Sequence, residues 1–243
     1  MKRPLQVTLL VLSGLGLLHT SLFTDLCLRY VRPGMRPLLI ASGVLLLVLG
    51  VAEAWSRRTA GEPTDGRAHG HDHSAVPRVA WLLFLPALSL LFWAPPALGA
   101  YTAARQPPKQ VSAQDHFDPL PATSPLPLTL TDFTRRVRQD RTRAVEGRTV
   151  EMTGLVAPVA AGKWDLTRII ISCCAADAQS VKVRVHARTA PPADTWVTVT
   201  GTWHRDGTLG TSSAAVALDA RTVTKVPRPV NGYQDALPLP AAR

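Results

Sequence analysis

Two of the chain's three cysteines stand side by side, in Ile171-Ser-Cys-Cys-Ala-Ala-Asp-Ala-Gln179, directly after the β-branched run Arg168-Ile-Ile-Ile171. Neighbouring side chains in an extended strand point to opposite faces, so the two sulfurs can converge only if the strand ends at Cys173 and Cys174 and the chain turns. The Ala-Ala-Asp-Ala that follows suits such a turn. A bond between adjacent cysteines would close a strained ring, far from the usual Cα separation of about 4.4–6.8 Å, and strained disulfides are easily reduced. Three chemistries remain open. Two thiolates, with Asp177, His186 or His204, would bind a thiophilic metal or metalloid ion. A labile pair would exchange with another disulfide. Alternatively the cysteines are packing elements, because free cysteine behaves as a small buried hydrophobe. Asp177 also suits a turn cap that accepts backbone N–H bonds, with Ser172 beside it in the motif. Arg168 offers a partner to Asp177 or to another acid. Neither a C-x-x-C spacing nor an activating neighbour is legible, which weighs against a thiol oxidoreductase.

A second cluster of potential ligands lies in Arg67-Ala-His-Gly-His-Asp-His73. His69, His71 and His73 are imidazole donors of the kind that suit Zn, Cu and Ni. Glycine between them makes an open, weak chelator rather than a closed structural centre. The plain alternative is a hydrophilic loop. His19 stands alone in an apolar run, where an ionisable group hydrogen-bonds across a helix contact or marks a functional site.

The elements that must carry these residues divide the chain in two. Residues 1–103 contain three apolar segments, Leu5–Leu22, Pro37–Ala54 and Val79–Ala103, the last interrupted by Pro86 and by Pro95-Pro96. Each approaches the roughly 20 residues that cross a bilayer core. No A-x-A-like cleavage site follows the first, so an uncleaved span is expected rather than a signal peptide. Trp81 and Trp93 suit interfacial positions in the third. With three spans, Lys2, Arg3, Arg57, Arg58, Arg67 and Arg78 lie on one side and Arg29, Arg32 and Arg36 on the other. That bias places the N-terminus inside and everything after residue 103 outside; two spans would leave the C-terminal part in the cytoplasm.

Residues 104–243 hold 18 Lys/Arg and 12 Asp/Glu, an ordinary soluble mixture with a basic surplus. The surplus suits an anionic membrane surface as well as it suits nucleic acid. Residues 104–128 read as a Pro-rich linker. A short amphipathic helix follows over 129–139, with Thr131 as its expected N-cap and Leu130, Phe133 and Val137 on one side. Five short strands are expected at Arg148–Val156, Leu166–Cys173, Val181–Ala187, Thr195–His204 and Val216–Val226, with Gly154 placed to form a bulge and Trp164 in a loop. One helix and five strands with interior glycines within residues 129–230, ahead of a tail over 231–243, fit a small all-β barrel of the OB type. A sandwich fragment is the alternative. Trp196 and Trp203 are too few for a base-stacking platform, so nucleic acid is not expected as a partner. The chain also lacks a Gly-rich phosphate loop, a helical H-E-x-x-H and a nucleophile elbow, which removes nucleotide hydrolysis and the familiar hydrolases.

Tyr30-Val-Arg-Pro33, the His-rich loop, Leu85-Pro86, Pro95-Pro96 and above all Arg168 with Ser172-Cys-Cys-Ala-Ala-Asp-Ala178 resemble a family of bacterial membrane proteins described as permease subunits of unknown function. The resemblance implies a multi-span N-terminal region, a C-terminal OB-like domain and an accessory role beside a permease. The resulting expectation is a multi-pass plasma-membrane protein with an extracytoplasmic barrel. It would be a non-enzymatic accessory subunit that presents or senses a soft metal or metalloid ion through Cys173 and Cys174. The alternatives are a membrane-tethered thiol-disulfide redox protein and an OB-type ligand-binding module with purely structural cysteines.

Overall fold

The computed structural model describes residues 2–59 and 97–237. His69, His71, His73 and most of the third apolar segment lie outside the described residues. The chain forms two compact units. One holds the N-terminal helices; the other comprises Leu98 onward together with Tyr30–Arg32.

The first unit is a hairpin of α1 (Lys2–Leu18) and α2 (Arg36–Thr59). Both helices are long and apolar enough to cross a membrane, over Gln6–Phe23 and Pro33–Ser56. Small residues let them approach closely: a Cβ on Gly14 would lie 2.9 Å from the carbonyl oxygen of Gly43, and one on Gly50 would lie 2.9 Å from Val11. Between apolar helices such approach is what packing and backbone contacts require. α1 ends in a π-helical turn over His19–Phe23, where the Thr20, Ser21 and Thr24 hydroxyls donate back to carbonyls one turn earlier. Hydroxyls bonded in this way satisfy backbone groups as the helix unwinds. The Arg36 Nε–H then donates to the Ser21 carbonyl at 2.6 Å, tying the start of α2 to the end of α1.

The second unit contains α3 (Ala100–Arg105), a two-residue β1 (Leu126–Pro127), α4 (Leu130–Gln139), and the strands β2 (Val150–Pro158), β3 (Trp164–Ile170), β4 (Gln179–His186), β5 (Trp196–Trp203) and β6 (Ala217–Lys225). The last five close into a barrel in the order β2-β3-β4-β6-β5 and back to β2. Every pair within the barrel is antiparallel except β4 with β6, and β1 joins β2 in parallel. This is a small barrel of OB-like kind. Alternation builds it: Val181, Val183 and Val185 of β4 face inward with Val197 and Val199 of β5, while Lys182 and Arg184 face out. Phe133 and Val137 of α4, fully buried, plug the same core with Leu126, Leu128 and Met152.

Gly154 is a point of close approach rather than a bulge. A Cβ there would lie 2.9 Å from Leu166 and from the Thr167 carbonyl, and β2 changes its hydrogen-bonded partner from β5 to β3 at the next residue. The register break sits instead at Thr200/Gly201, where a Cβ on Gly201 would collide with the Asp219 backbone. Trp164 opens β3 and is buried, against the loop position expected for it, because its indole fills the barrel interior. Strand β3 stops at Ile170, three residues short of the expected end.

The stretches read as the end of the third segment and as a linker fold with the barrel. Ala100 and Ala103 pack on Ala157 and Ile169, and the Ala100 N–H donates to the Asp194 carboxylate at 2.6 Å. The tail over residues 231–237 also packs here. Asp235 accepts from the Leu130 and Thr131 amides, and the Thr129 hydroxyl accepts from Asp132. Phe133 N–H completes the first turn at the Thr129 carbonyl, so all four N-terminal amides of α4 are satisfied. Thr129, not Thr131, is therefore the N-cap: its backbone is extended and its hydroxyl reaches N3, whereas Thr131 already lies inside the helix. Thr129→Ala is expected to lower stability by about 1 kcal/mol, and Thr131→Ala to change it little. Denaturant titration of the full chain in detergent, followed by tryptophan fluorescence, checks both.

Candidate functional site

The paired cysteines occupy the connection between β3 and β4, whose last strand pair is Ile170 with Gln179. Ile171 anchors the exit from β3: its side chain is buried and its N–H donates to the Tyr233 carbonyl at 3.2 Å. The chain then bends at Ser172 and Cys173, and a single 3-10 turn over Ala175–Asp177 returns it to β4. The Asp177 carboxylate holds this turn, accepting the Ser172 N–H at 3.0 Å on one oxygen and the Cys173 N–H at 2.7 Å on the other. That is the capping role expected of it.

The bend brings the Cys173 and Cys174 Sγ atoms to 3.6 Å. Both thiols are free; Cys173 is exposed and Cys174 half-buried. A tetrahedral ion with sulfur bonds of about 2.3 Å requires a sulfur–sulfur separation of about 3.8 Å, so the pair fits two positions of such a centre with little adjustment. Among the described residues no group of three or more His, Cys, Asp or Glu side chains is placed to complete one.

The turn has a second support that sequence reasoning missed. Val31 pairs with Cys174 in an antiparallel bridge. The Arg32 N–H donates to the Cys173 carbonyl at 3.1 Å, and the Ala175 N–H donates to the Tyr30 carbonyl at 2.6 Å. Tyr30-Val-Arg-Pro33 and Ser172-Cys-Cys-Ala-Ala-Asp-Ala178 are thus hydrogen-bonded to each other. The available signal was a β-branched residue between polar neighbours and ahead of a proline, too short to name as a strand.

Electrostatics keep Cys173 in its neutral form. A hydrogen bond to the Asp177 carboxylate, and after it one to Cys174, pushes the Cys173 thiol up to about 11. The same thiol, with the backbone amides, holds Asp177 below the usual carboxylate range. A reactive cysteine needs the opposite arrangement, a nearby positive charge that favours thiolate.

The other residues singled out lie elsewhere. Arg168 does not meet Asp177. It is buried, donates from Nε to the Thr153 carbonyl at 2.9 Å and from Nη2 to the Ala236 carbonyl at 3.1 Å, and stacks over Trp196 at 4.9 Å. Burial lowers its pKa and Asp235 acts against that. Its role is to fasten the C-terminal segment to the barrel. His186 and His204 stack on each other at 4.0 Å, with Asp219 2.7 Å from His204 Nδ1. His186 ends β4 seven positions beyond Gln179, about 23 Å along the strand, so neither imidazole joins the cysteines. An open cavity of about 760 Å³, lined by Asp115, His116, Arg138, Arg141 and Thr211 among others, contains none of the residues singled out as ligands.

Residues 130–234 match the family model of the DUF1980 C-terminal domain, an uncharacterised family. The matched stretch spans α4 and the whole barrel and contains Arg168, Cys173, Cys174 and Asp177. No curated protein and no solved structure matches the chain.

Removing the carboxylate charge should free the thiolate. With Cys27 replaced by serine, Asp177→Asn is expected to bring the Cys173 pKa down toward its ordinary value. Alkylation by iodoacetamide at pH 8 should then be faster by about tenfold, the gain in thiolate being partly offset by lower nucleophilicity. Rate against pH, with mass spectrometry to assign the modified cysteine, checks this. An unchanged profile would separate the Asp177 contact from the Cys173 titration.

Proposed function

We propose that this chain is a membrane-anchored, non-enzymatic accessory subunit of a permease, whose barrel presents the Cys173–Cys174 dithiol to a soft metal or metalloid ion. The observation that carries the ion-binding role is the convergence of the two sulfurs at 3.6 Å on an exposed turn. Soft thiolate ligands select soft ions, and two of them on a turn held by Asp177 need little rearrangement to bind. The exposed position leaves room for the remaining ligands to come from the ion's own coordination sphere or from a partner. A thiol held protonated is a slow nucleophile, which favours equilibrium capture over catalytic thiol exchange.

The accessory role rests on the resemblance of its motifs to permease subunits and on the apolar side chains, such as Leu12, Leu15, Leu45 and Leu49, that α1 and α2 leave exposed. These faces suit lipid and the helices of a permease alike. The Lys/Arg distribution supports a multi-pass plasma-membrane arrangement with the barrel on the extracytoplasmic side.

The test is titration of the full chain, reduced and in detergent under nitrogen, with Zn(II), Cu(I) and As(III), followed by heat and by free-thiol count. Binding of one ion per chain with loss of two reactive thiols is expected. It should persist in Cys27→Ser and vanish in the Cys173→Ser/Cys174→Ser double variant, whose thermal unfolding stays close to that of the parent chain. Absence of binding in a folded chain with reduced thiols would overturn the ion-binding role and leave the turn as a packing element.

A further inference from the structure

The bridge between Val31 and Cys174 has a topological consequence. Tyr30, Val31 and Arg32 fold with the barrel, although they lie between the turn that follows α1, which ends at Arg29, and the turn over Pro33–Met35 that leads into α2. Two backbone hydrogen bonds flank Cys174, from the Arg32 N–H to the Cys173 carbonyl and from the Ala175 N–H to the Tyr30 carbonyl. Bonds of about 3 Å cannot be made across a hydrocarbon core of about 30 Å. The backbone donors and acceptors on residues 30–32 must also be outside the hydrocarbon or paired, and two of them, the Arg32 N–H and the Tyr30 carbonyl, are paired with the dithiol turn.

We infer that the barrel lies on the membrane face where the chain passes from α1 to α2, so that the chain between Arg32 and Leu98 crosses the bilayer an even number of times. The inference rests on α2 crossing the membrane and is independent of whether the dithiol binds an ion. With α2 as one crossing, the return has to come from the sequence between Thr59 and Leu98, where the apolar stretch that begins at Val79 has the necessary composition. An arrangement with α1 and α2 as the only crossings would put Cys174 and Val31 on opposite faces and break the bridge. The Lys/Arg bias then sets which face it is: the outer one. The dithiol would meet ions outside the cytoplasm, before they enter the partner permease or after they leave it.

The test uses two single-cysteine full-length chains in a background with Cys27, Cys173 and Cys174 all replaced by serine. Gly34→Cys reports the segment between the helices, at an exposed position where an added side chain meets nothing within 4 Å. Ser212→Cys reports the barrel from an exposed loop distant in sequence from the dithiol turn. A membrane-impermeant maleimide is applied to intact cells and to permeabilised cells. Labelling of both positions in intact cells is expected. Labelling of both only after permeabilisation would keep the inference and reverse the orientation. Labelling of Gly34→Cys in intact cells with Ser212→Cys protected until permeabilisation, or the converse, would overturn it. Alkaline extraction of the same membranes tells the two failures apart, since release of the chain into the supernatant would remove the membrane reading itself.

Discussion

The barrel depends on one strand that divides its length between two barrel neighbours. β2 hydrogen-bonds β5 along Val150–Leu155 and β3 along Leu155–Pro158, and that hand-over turns a sheet into a closed ring. A side chain at Gly154 would strike Leu166 and the Thr167 backbone at the hand-over, so the strand can bend inward only where Cβ is missing. Gly201 does the matching service between β5 and β6, where the register shifts. Closure removes the sheet's free edges and fixes the ends of β3 and β4 beside each other, and the dithiol turn inherits its position from them.

Within that frame one carboxylate has two effects. Asp177 fixes the backbone by accepting the Ser172 and Cys173 amides, and its hydrogen bond with the Cys173 thiol favours the protonated form of that thiol. Geometry and electrostatics therefore point different ways. The sulfurs stand at a spacing that suits a thiophilic ion, yet the raised Cys173 pKa means that such a cation would have to displace the thiol proton. On the proposed ion-binding reading, such a site would gain ions by displacement at equilibrium rather than by nucleophilic attack.

The Arg168 guanidinium shows how a residue conspicuous in sequence can serve the fold. It is buried beneath Trp196 and fastened to the Ala236 carbonyl, while Asp235 beside it caps α4. The C-terminal segment is thereby stitched to both the barrel and its plug helix. Burying a guanidinium is costly unless its donors are used, and here backbone carbonyls from two parts of the chain accept from Nε and Nη2, while Nη1 is buried without a hydrogen-bond partner among the described residues.

The sequence by itself determined the periodicities. Alternation at Val181, Val183 and Val185, apolar spacing at Leu130, Phe133 and Val137, and long uncharged runs before residue 60 are local patterns, and each produced the element it implied. It also pointed to a turn after the cysteines, because an Asp four residues beyond Cys173 can reach back to cap it. Tertiary structure alone decided what those elements meet. Thr129 rather than Thr131 caps α4, since the Asp235 carboxylate, a hundred residues away, already serves the next amides. Trp164 is core because the barrel closes around it. His186 and His204 find each other instead of the thiols, because strand register carries them to the far end of β4. Val31 reaches Cys174 across more than a hundred residues of sequence. Spacing along a chain constrains neighbours within one element; contacts between distant segments depend on closure and register, which no local pattern encodes.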